Sequence, residues 1–237
     1  IITKKVAGEG FGVDNRAVVR NQRVYGWTVF DQLNFNYRKN GFDLSGMLYG
    51  GNLRGGNDQF FVIDTYLDKL WRQNLSLPNQ IFKTKQIETL LSLNYQFNEN
   101  HSMGARFNWE KTPESYWSVN QFAQTFSGNQ LYEDLHSNVV GNEPEGYRKA
   151  NFYYSGKVKN WSIDFNADGL WSDAENTQVA EEEILGGINE AVNRSVTTFD
   201  TKKNELYAAK LVVSHPLAKG NFSFGGEYSH NKRNTTY

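Results

Sequence analysis

The 237-residue chain contains no cysteine. The absence of cysteine excludes disulfide frameworks, thiolate metal sites and cysteine nucleophiles. No stretch approaches the roughly 18 to 20 consecutive apolar residues that a transmembrane helix requires. The formal net charge is -1, so the charge balance gives no sign of a nucleic-acid-binding surface. These absences exclude helical membrane proteins but leave proteins that cross a membrane with β-strands open.

Aromatic residues are abundant although the chain is polar on average. They make up 15% of the sequence while the mean hydropathy is -0.66. The wall of a transmembrane β-barrel has this composition, because only alternate residues face lipid and the loops are polar. The composition therefore favours a β-structure with one apolar and one polar face.

Strict alternation of apolar and polar residues is clearest between Trp161 and Trp171. One parity carries the tryptophans and other apolar side chains, and the other carries carboxylates and amides, as in a half-exposed strand. Ten residues of strand span about 33 Å. With a tilt near 40 to 45° this projects to roughly 24 Å, close to the ~25 Å apolar band of a transmembrane barrel. The segment from Trp27 to Tyr37 repeats this spacing, although Asp31 interrupts its apolar row.

Four short turns join strands of this kind, at 39–41, 98–101, 159–160 and 218–220. Between them lie long polar stretches at 51–79, 111–145 and 173–203, which we predict to be external loops. With a first strand near residues 11–21, the pattern predicts about nine strands. The fold class predicted is all-β: an antiparallel up-and-down meander forming a partial transmembrane β-barrel with long external loops.

Two parts of the sequence resemble a known family. The opening IITKK resembles the final plug-domain strand of TonB-dependent outer-membrane receptors. LNFNYRKNGFDLSGMLYG (33–50) and LLSLNYQFNENHSMGARFNW (90–109) resemble the opening barrel hairpins of Bacteroidetes-type members. The resemblance implies that residues 1–5 end a plug-like segment and that 6–237 are a barrel portion, with about nine of 22 strands.

The resemblance also implies a function and a location. Members of this family lie in the cell outer membrane and import a nutrient or metal chelate. The implied partners are outer-membrane lipid, a TonB-type energy-coupling protein acting through an N-terminal part missing here, and a surface lipoprotein. We expect no nucleic-acid partner, no cofactor and no enzymatic activity. Because residues 1–5 lack the features of a signal peptide, we expect a segment of a longer protein.

Two groups of aromatic residues are candidates for functional contacts. Members of the first recur at the ends of predicted strands, where we expect membrane-interface aromatics: Trp27, Tyr37, Trp109, Trp161 and Trp171. Members of the second lie in a predicted external loop, where exposed rings can contact a ligand: Tyr116, Trp117, Phe122 and Phe126. Packing within the loop is the alternative explanation for the second group.

One motif matches a calcium-binding pattern. Asp164, Asn166, Asp168 and Glu175 have the spacing of an EF-hand loop, and their oxygen atoms suit a hard cation. The context favours the other interpretation, because residues 157–163 alternate as a strand rather than as an entering helix. We therefore expect no metal site, and expect the residues at 164, 166 and 168 to line the polar face of a strand.

A soluble β-sandwich that binds carbohydrate through aromatic residues is the alternative function. It explains the strands and the exposed rings. It does not explain why short and long connections alternate. No constellation of residues supports an enzyme.

Overall fold

The computed structural model describes residues 8–188 and 191–237, and these form an all-β protein. The predicted plug-like segment, residues 1–5, lies outside the described residues. Across the described ranges, no helix is long and apolar enough to span a membrane. The strands are β1 Gly10–Gln22, β2 Gly26–Lys39, β3 Phe42–Tyr66, β4 Leu70–Asn98, β5 His101–Ser127, β6 Gln130–Asn142, β7 Glu145–Val158, β8 Trp161–Gly187, β9 Val192–Leu217 and β10 Gly220–Thr236.

The strands form a single 10-stranded antiparallel sheet in which neighbours follow the order of the chain. β6 and β7 share one position, because both lie between β5 and β8. β7 pairs with the halves of β5 and β8 that lie next to the short turns, and β6 pairs with the halves that lie farther from them. The ten strands therefore occupy nine positions, and the predicted antiparallel meander is confirmed.

All four short turns lie where the sequence predicts them. They are the connections β2–β3, β4–β5, β7–β8 and β9–β10. Asn40 and Gly41 both have positive φ angles, 48° and 79°. This is the backbone that a two-residue hairpin turn requires, because its twist matches that of the flanking strands. Asn-Gly is the sequence that adopts it most readily.

The prediction of long external loops is wrong. Most of 51–79, 111–145 and 173–203 is strand, and β3 to β5, β8 and β9 extend through these stretches over 25 to 29 residues each. The connections at this end are short too, at 23–25, 67–69, 128–129 and 188–191, of which 189 and 190 lie outside the described residues. Hydrogen bonds between neighbouring main chains hold the extensions, where apolar and polar side chains do not alternate regularly, as at residues 60–63 of β3 and 181–183 of β8. Sequence periodicity therefore gave no signal for them.

Two prolines lie at the level where β5 and β8 change their pairing partner from β7 to β6. Lys111 lies opposite Ile87 and Glu114 opposite Lys85, so Thr112 and Pro113 form a bulge in β5. Proline has no amide hydrogen for the ladder and is found at such irregularities. Pro144 separates β6 from β7 at the same level, and its carbonyl accepts a hydrogen bond of 2.9 Å from the Glu175 amide.

The sheet is a single layer, and its described residues form no hydrophobic core. Ala123, with 1% of its surface exposed, is the one buried apolar residue among those described, and no large side chain there is fully buried. Within the same ranges β1 and β10 pair on one side only, so the sheet has two open edges. Something other than an internal core must cover the apolar side chains.

Candidate functional site: two unlike faces of the sheet

The strand register brings the apolar parity of every strand onto one face, which we call the apolar face. Directly opposed residues of antiparallel strands point to the same side, so the pairing can be followed across the sheet. The apolar face includes Phe35, Leu44, Leu93, Phe107, Phe152, Phe165, Leu211 and Phe224. The opposite side, the polar face, includes Asn36, Ser45, Asn94, Arg106, Asn151, Asp168, Lys210 and Glu227.

Between β5 and β8, the apolar face ends at a row of tryptophans followed by a row of charges. Trp109 and Trp171 lie in one cross-strand row. Two residues further from the short turns, the next row on this face contains Lys111 and Asp173, whose Nζ and Oδ2 atoms are 2.9 Å apart. Asp31 belongs to this same row. Along β2, Asp31 is eight residues from Lys39 and four residues short of Trp27, so this carboxylate lies close to the far aromatic level of its strand.

The four short turns are staggered, and the stagger measures the tilt of the strands. The row through Phe42 and Phe165 serves as a reference. Counted from this row towards the short turns, β3 has no further residues, whereas β4 has three more, β7 four more and β9 six more. The stagger is thus about one residue per strand, and with ~3.3 Å per residue and ~4.8 Å between strands it gives a tilt of about 35°. Transmembrane barrels have tilts of about 35 to 45°.

The predicted interface aromatics lie at two levels. Trp161 and Tyr37 are near the short turns, with 40% and 37% of their surface exposed. The other three lie farther away: Trp27 is twelve residues from Lys39, Trp109 eight from His101 and Trp171 ten from Trp161. These three separations average ten residues. At ~3.3 Å per residue and a tilt of about 35°, they place the two levels about 27 Å apart.

Aromatic contacts concentrate at the level of the short turns. Ring centroids of Tyr95 and Phe97 are 4.7 Å apart, and those of Trp161 and His215 are 4.5 Å apart. At the other level the indole of Trp171 donates a hydrogen bond of 2.9 Å to the Tyr207 hydroxyl. Rings with one polar atom therefore border the apolar face at both levels, as in barrel girdles.

Hydrogen-bonded side chains cover the polar face between these levels. The Tyr153 hydroxyl donates to Asn94 Oδ1 at 2.8 Å. Asp168 accepts from Asn151 at 2.8 Å and from Asn166 at 2.6 Å. These amides and carboxylates are connected across neighbouring strands, so this face offers fixed donors and acceptors to water or a polar solute.

The four residues of the calcium pattern do not form a loop. All lie in β8, where Asp164, Asn166 and Asp168 point to the polar face and Glu175 to the other side. Ser155 donates a hydrogen bond of 2.7 Å to Asp164. Among the described residues no group of three or more His, Asp or Glu side chains is arranged to hold a metal ion.

The four ligand-contact candidates lie in β5 beyond the bulge and do not converge. Tyr116, Phe122 and Phe126 lie on one side of the strand and Trp117 on the other. Lys83 Nζ lies 5.1 Å from the centroid of the Tyr116 ring. The Trp117 indole donates to Glu143 Oε1 at 3.1 Å.

Phe122 borders a surface depression. Its ring lies 4.6 Å from that of His136, and the depression continues to Glu181 and Ser195. The structure therefore separates these candidates into individual contacts.

Ion pairs stabilise the extended strands beyond the charged row. The hydrogen bond from Arg72 to Asp64, 2.8 Å long, holds the pKa of Asp64 below its usual value. The hydrogen bond from Lys85 likewise lowers the pKa of Glu114, with 2.6 Å between the charged atoms. Both pairs join neighbouring strands, as cross-strand pairs of opposite charge do.

The charged row at the end of the apolar face was missed by the sequence analysis. Its signal is a charged residue two positions after a tryptophan, at Lys111 and at Asp173. In a strand, side chains two positions apart point to the same face. Only the pairing of β5, β7 and β8 shows that these charges form one row.

The fold and surfaces define an all-β protein with a single tilted sheet and two unlike faces. No protein-family model matches the chain, and no curated protein matches it.

Proposed function

We propose that the chain forms part of the wall of an outer-membrane β-barrel receptor of the TonB-dependent type, which takes up a nutrient or metal chelate. The observation that carries the proposal is the bounded apolar face. It lies between two aromatic levels about 27 Å apart, by the strand rise, and is followed by charges. An apolar band of ~25 Å between aromatic girdles is the lipid-facing surface of a transmembrane barrel.

The opposite face supports a solute route. Tyr153, Asn151 and Asp168 present hydrogen-bonding groups there. A barrel lumen is polar because it contains water or a plug rather than lipid. In this proposal the polar face forms part of the route along which the solute passes.

The open edges and the tilt also support a barrel wall. The outer sides of β1 and β10 have no pairing partner among the described residues. Unpaired edges do not occur within the hydrocarbon region of a membrane, so closure requires further strands from outside the described sheet. A tilt of about 35° is compatible with closure.

A carbohydrate-binding β-sandwich finds less support. Its core forms between two sheets packed about 10 Å apart. The described residues form one sheet, and large apolar side chains such as Phe224 and Tyr228 remain 53% and 66% exposed. Without a second layer these side chains need another cover.

Brominated lipid tests membrane contact. Two variants each keep one tryptophan, Trp161 or Trp117, with the others replaced by phenylalanine. In vesicles with brominated acyl chains we expect strong quenching of Trp161 and weak quenching of Trp117, which lies beyond the charged row. Equal quenching, or a monomer that stays dissolved without detergent, would contradict the proposal.

The location and partners are tested in the cell that makes the protein. We expect fractionation to recover it with the outer membrane. Recovery from the cytosolic or periplasmic fraction would contradict the proposed location. The TonB-type coupling protein and the surface lipoprotein are proposed from the family resemblance alone, and cross-linking of the membrane-bound protein followed by mass spectrometry tests both.

A further inference from the structure

A depression on the apolar face lies between the tryptophan row and the charged row. Its first wall comes from four strands and consists of Trp109, Arg148, Trp171 and Glu205. Its second wall consists of Lys111, Gly146, Asp173 and Lys203. The depression therefore lies where the apolar surface ends.

Arg148 lies between Trp109 and Trp171 in the first wall, and the neighbouring side chains do not cover it. The Trp171 ring lies over Gly169, where an added Cβ would be 2.5 Å from Cη2, and so turns towards the apolar side. Lys111 lies over Gly146, where an added Cβ would be 2.9 Å from Cδ, and is paired with Asp173. Arg148 itself is exposed.

Four charged side chains of the depression have no partner in the described part of the chain. They are exposed and make no side-chain hydrogen bond or ion pair there: Arg148, Glu175, Lys203 and Glu205. Two of these charges are positive and two are negative, and Asp173 retains 61% of its side-chain surface. The depression thus offers cation and anion sites side by side.

We propose that this depression binds the zwitterionic headgroup of a membrane lipid that carries a phosphate and a primary ammonium group. The inference rests on the proposed membrane location. Arg148 binds the phosphate, since guanidinium groups pair with phosphate oxygens through two parallel hydrogen bonds. Glu205 accepts from the ammonium group, and the acyl chains lie against the apolar face.

Charge and spacing favour this headgroup over others. Arg148 and Glu205 belong to strands two positions apart, which separates their backbones by about 10 Å. Both side chains are long enough to reach the phosphate and the ammonium group of one headgroup. A purely anionic headgroup would leave Glu205 facing a like charge, and a quaternary ammonium has no hydrogen to donate to it.

The test measures which lipids the detergent-solubilised full chain retains. The protein is incubated with equal amounts of phosphatidylethanolamine, phosphatidylglycerol and phosphatidylcholine with identical acyl chains, and native mass spectrometry counts the bound lipids. We expect phosphatidylethanolamine to be retained most. Arg148→Gln should reduce its retention about fivefold, the effect of one cation near a membrane surface, whereas Arg148→Lys should retain most of it.

Two further variants give the test its specificity. Glu205→Gln should reduce retention of phosphatidylethanolamine and raise that of phosphatidylglycerol, because it removes only the negative charge. Lys149→Gln is the control, because Lys149 neighbours Arg148 but points to the polar face, and it should change nothing. Equal retention of the three lipids, a preference for phosphatidylglycerol, or equal effects of Arg148→Gln and Lys149→Gln would overturn the inference.

The outcome is separable from that of the proposed function. If Trp161 is quenched by brominated lipid but the headgroups are not distinguished, the membrane proposal stands and the headgroup site is wrong. If Trp161 is not quenched, the membrane proposal itself fails. Quenching of Trp161 in each variant also verifies that the sheet has folded before lipids are compared.

Discussion

Two adjacent alanines of β9 allow a matched test of the two faces. Ala209 lies opposite Ala167 on the apolar face, and Ala208 lies opposite Asp168 on the polar face. Both are partly exposed. Replacing each by arginine changes the same residue type at nearly the same depth, so the difference between the variants reports on the surroundings of each face.

The expected magnitude follows from the depth of Ala209. It lies four residues from Glu205, which is opposite Trp171, and six from His215 at the level of Trp161. These separations are about 13 and 20 Å along the strand, or about 11 and 16 Å of depth at a tilt of about 35°. The residue is thus near the midplane, where arginine on the lipid face costs about 2 to 4 kcal/mol.

Ala208→Arg should change the free energy of unfolding by no more than about 0.5 kcal/mol, as surface substitutions do. The assay is guanidinium unfolding of the vesicle-bound protein, followed by tryptophan fluorescence. A cost for Ala209→Arg below about 0.5 kcal/mol, or equal costs for both variants, would refute the assignment of the apolar face to lipid.

The remaining predictions concern a turn and an ion pair. Gly41→Ala should destabilise the hairpin by about 1 kcal/mol or more, because φ is 79° and an added Cβ would clash with the carbonyl of Gln96. Gly220→Ala, whose nearest contact would be 3.8 Å, is the control in chemical unfolding, and equal losses would contradict the explanation. The Asp64 carboxyl should titrate below its usual pKa because Arg72 donates to it, so the pair's stabilisation is present above the unfolded-state pKa and is lost as the pH falls through the folded value. Arg72→Gln should return the Asp64 midpoint, followed by carbon NMR, to normal, and an unchanged midpoint would show that the hydrogen bond is not its cause.

Where one face was apolar, the sequence was enough to predict the strand. The alternation from Trp161 to Trp171 predicted the inner part of β8, and Asn40-Gly41 predicted the turn between β2 and β3, both as observed. These features are local, because side-chain direction repeats every two residues and Asn-Gly adopts positive φ at low cost.

Where both faces are polar, the sequence failed. In the far part of β8, Glu181 and Glu183 point to one side and Glu182 to the other, so hydropathy does not alternate. Strand structure there depends on main-chain hydrogen bonds to β6 and β9, which are distant in sequence. The same reason explains why Tyr116 and Trp117, expected in a loop, lie in a strand and face opposite sides.

The sequence by itself determined which residues of each strand share a side, where the hairpins turn, and that the protein is all-β. Only the tertiary structure decided how the strands align. Register depends on pairing between distant residues, and a shift by one residue would move every side chain to the other face. This alignment places Trp109 beside Trp171 across Arg148, brings Asp31 into the row of Lys111, and turns separate alternating strands into one bounded apolar surface.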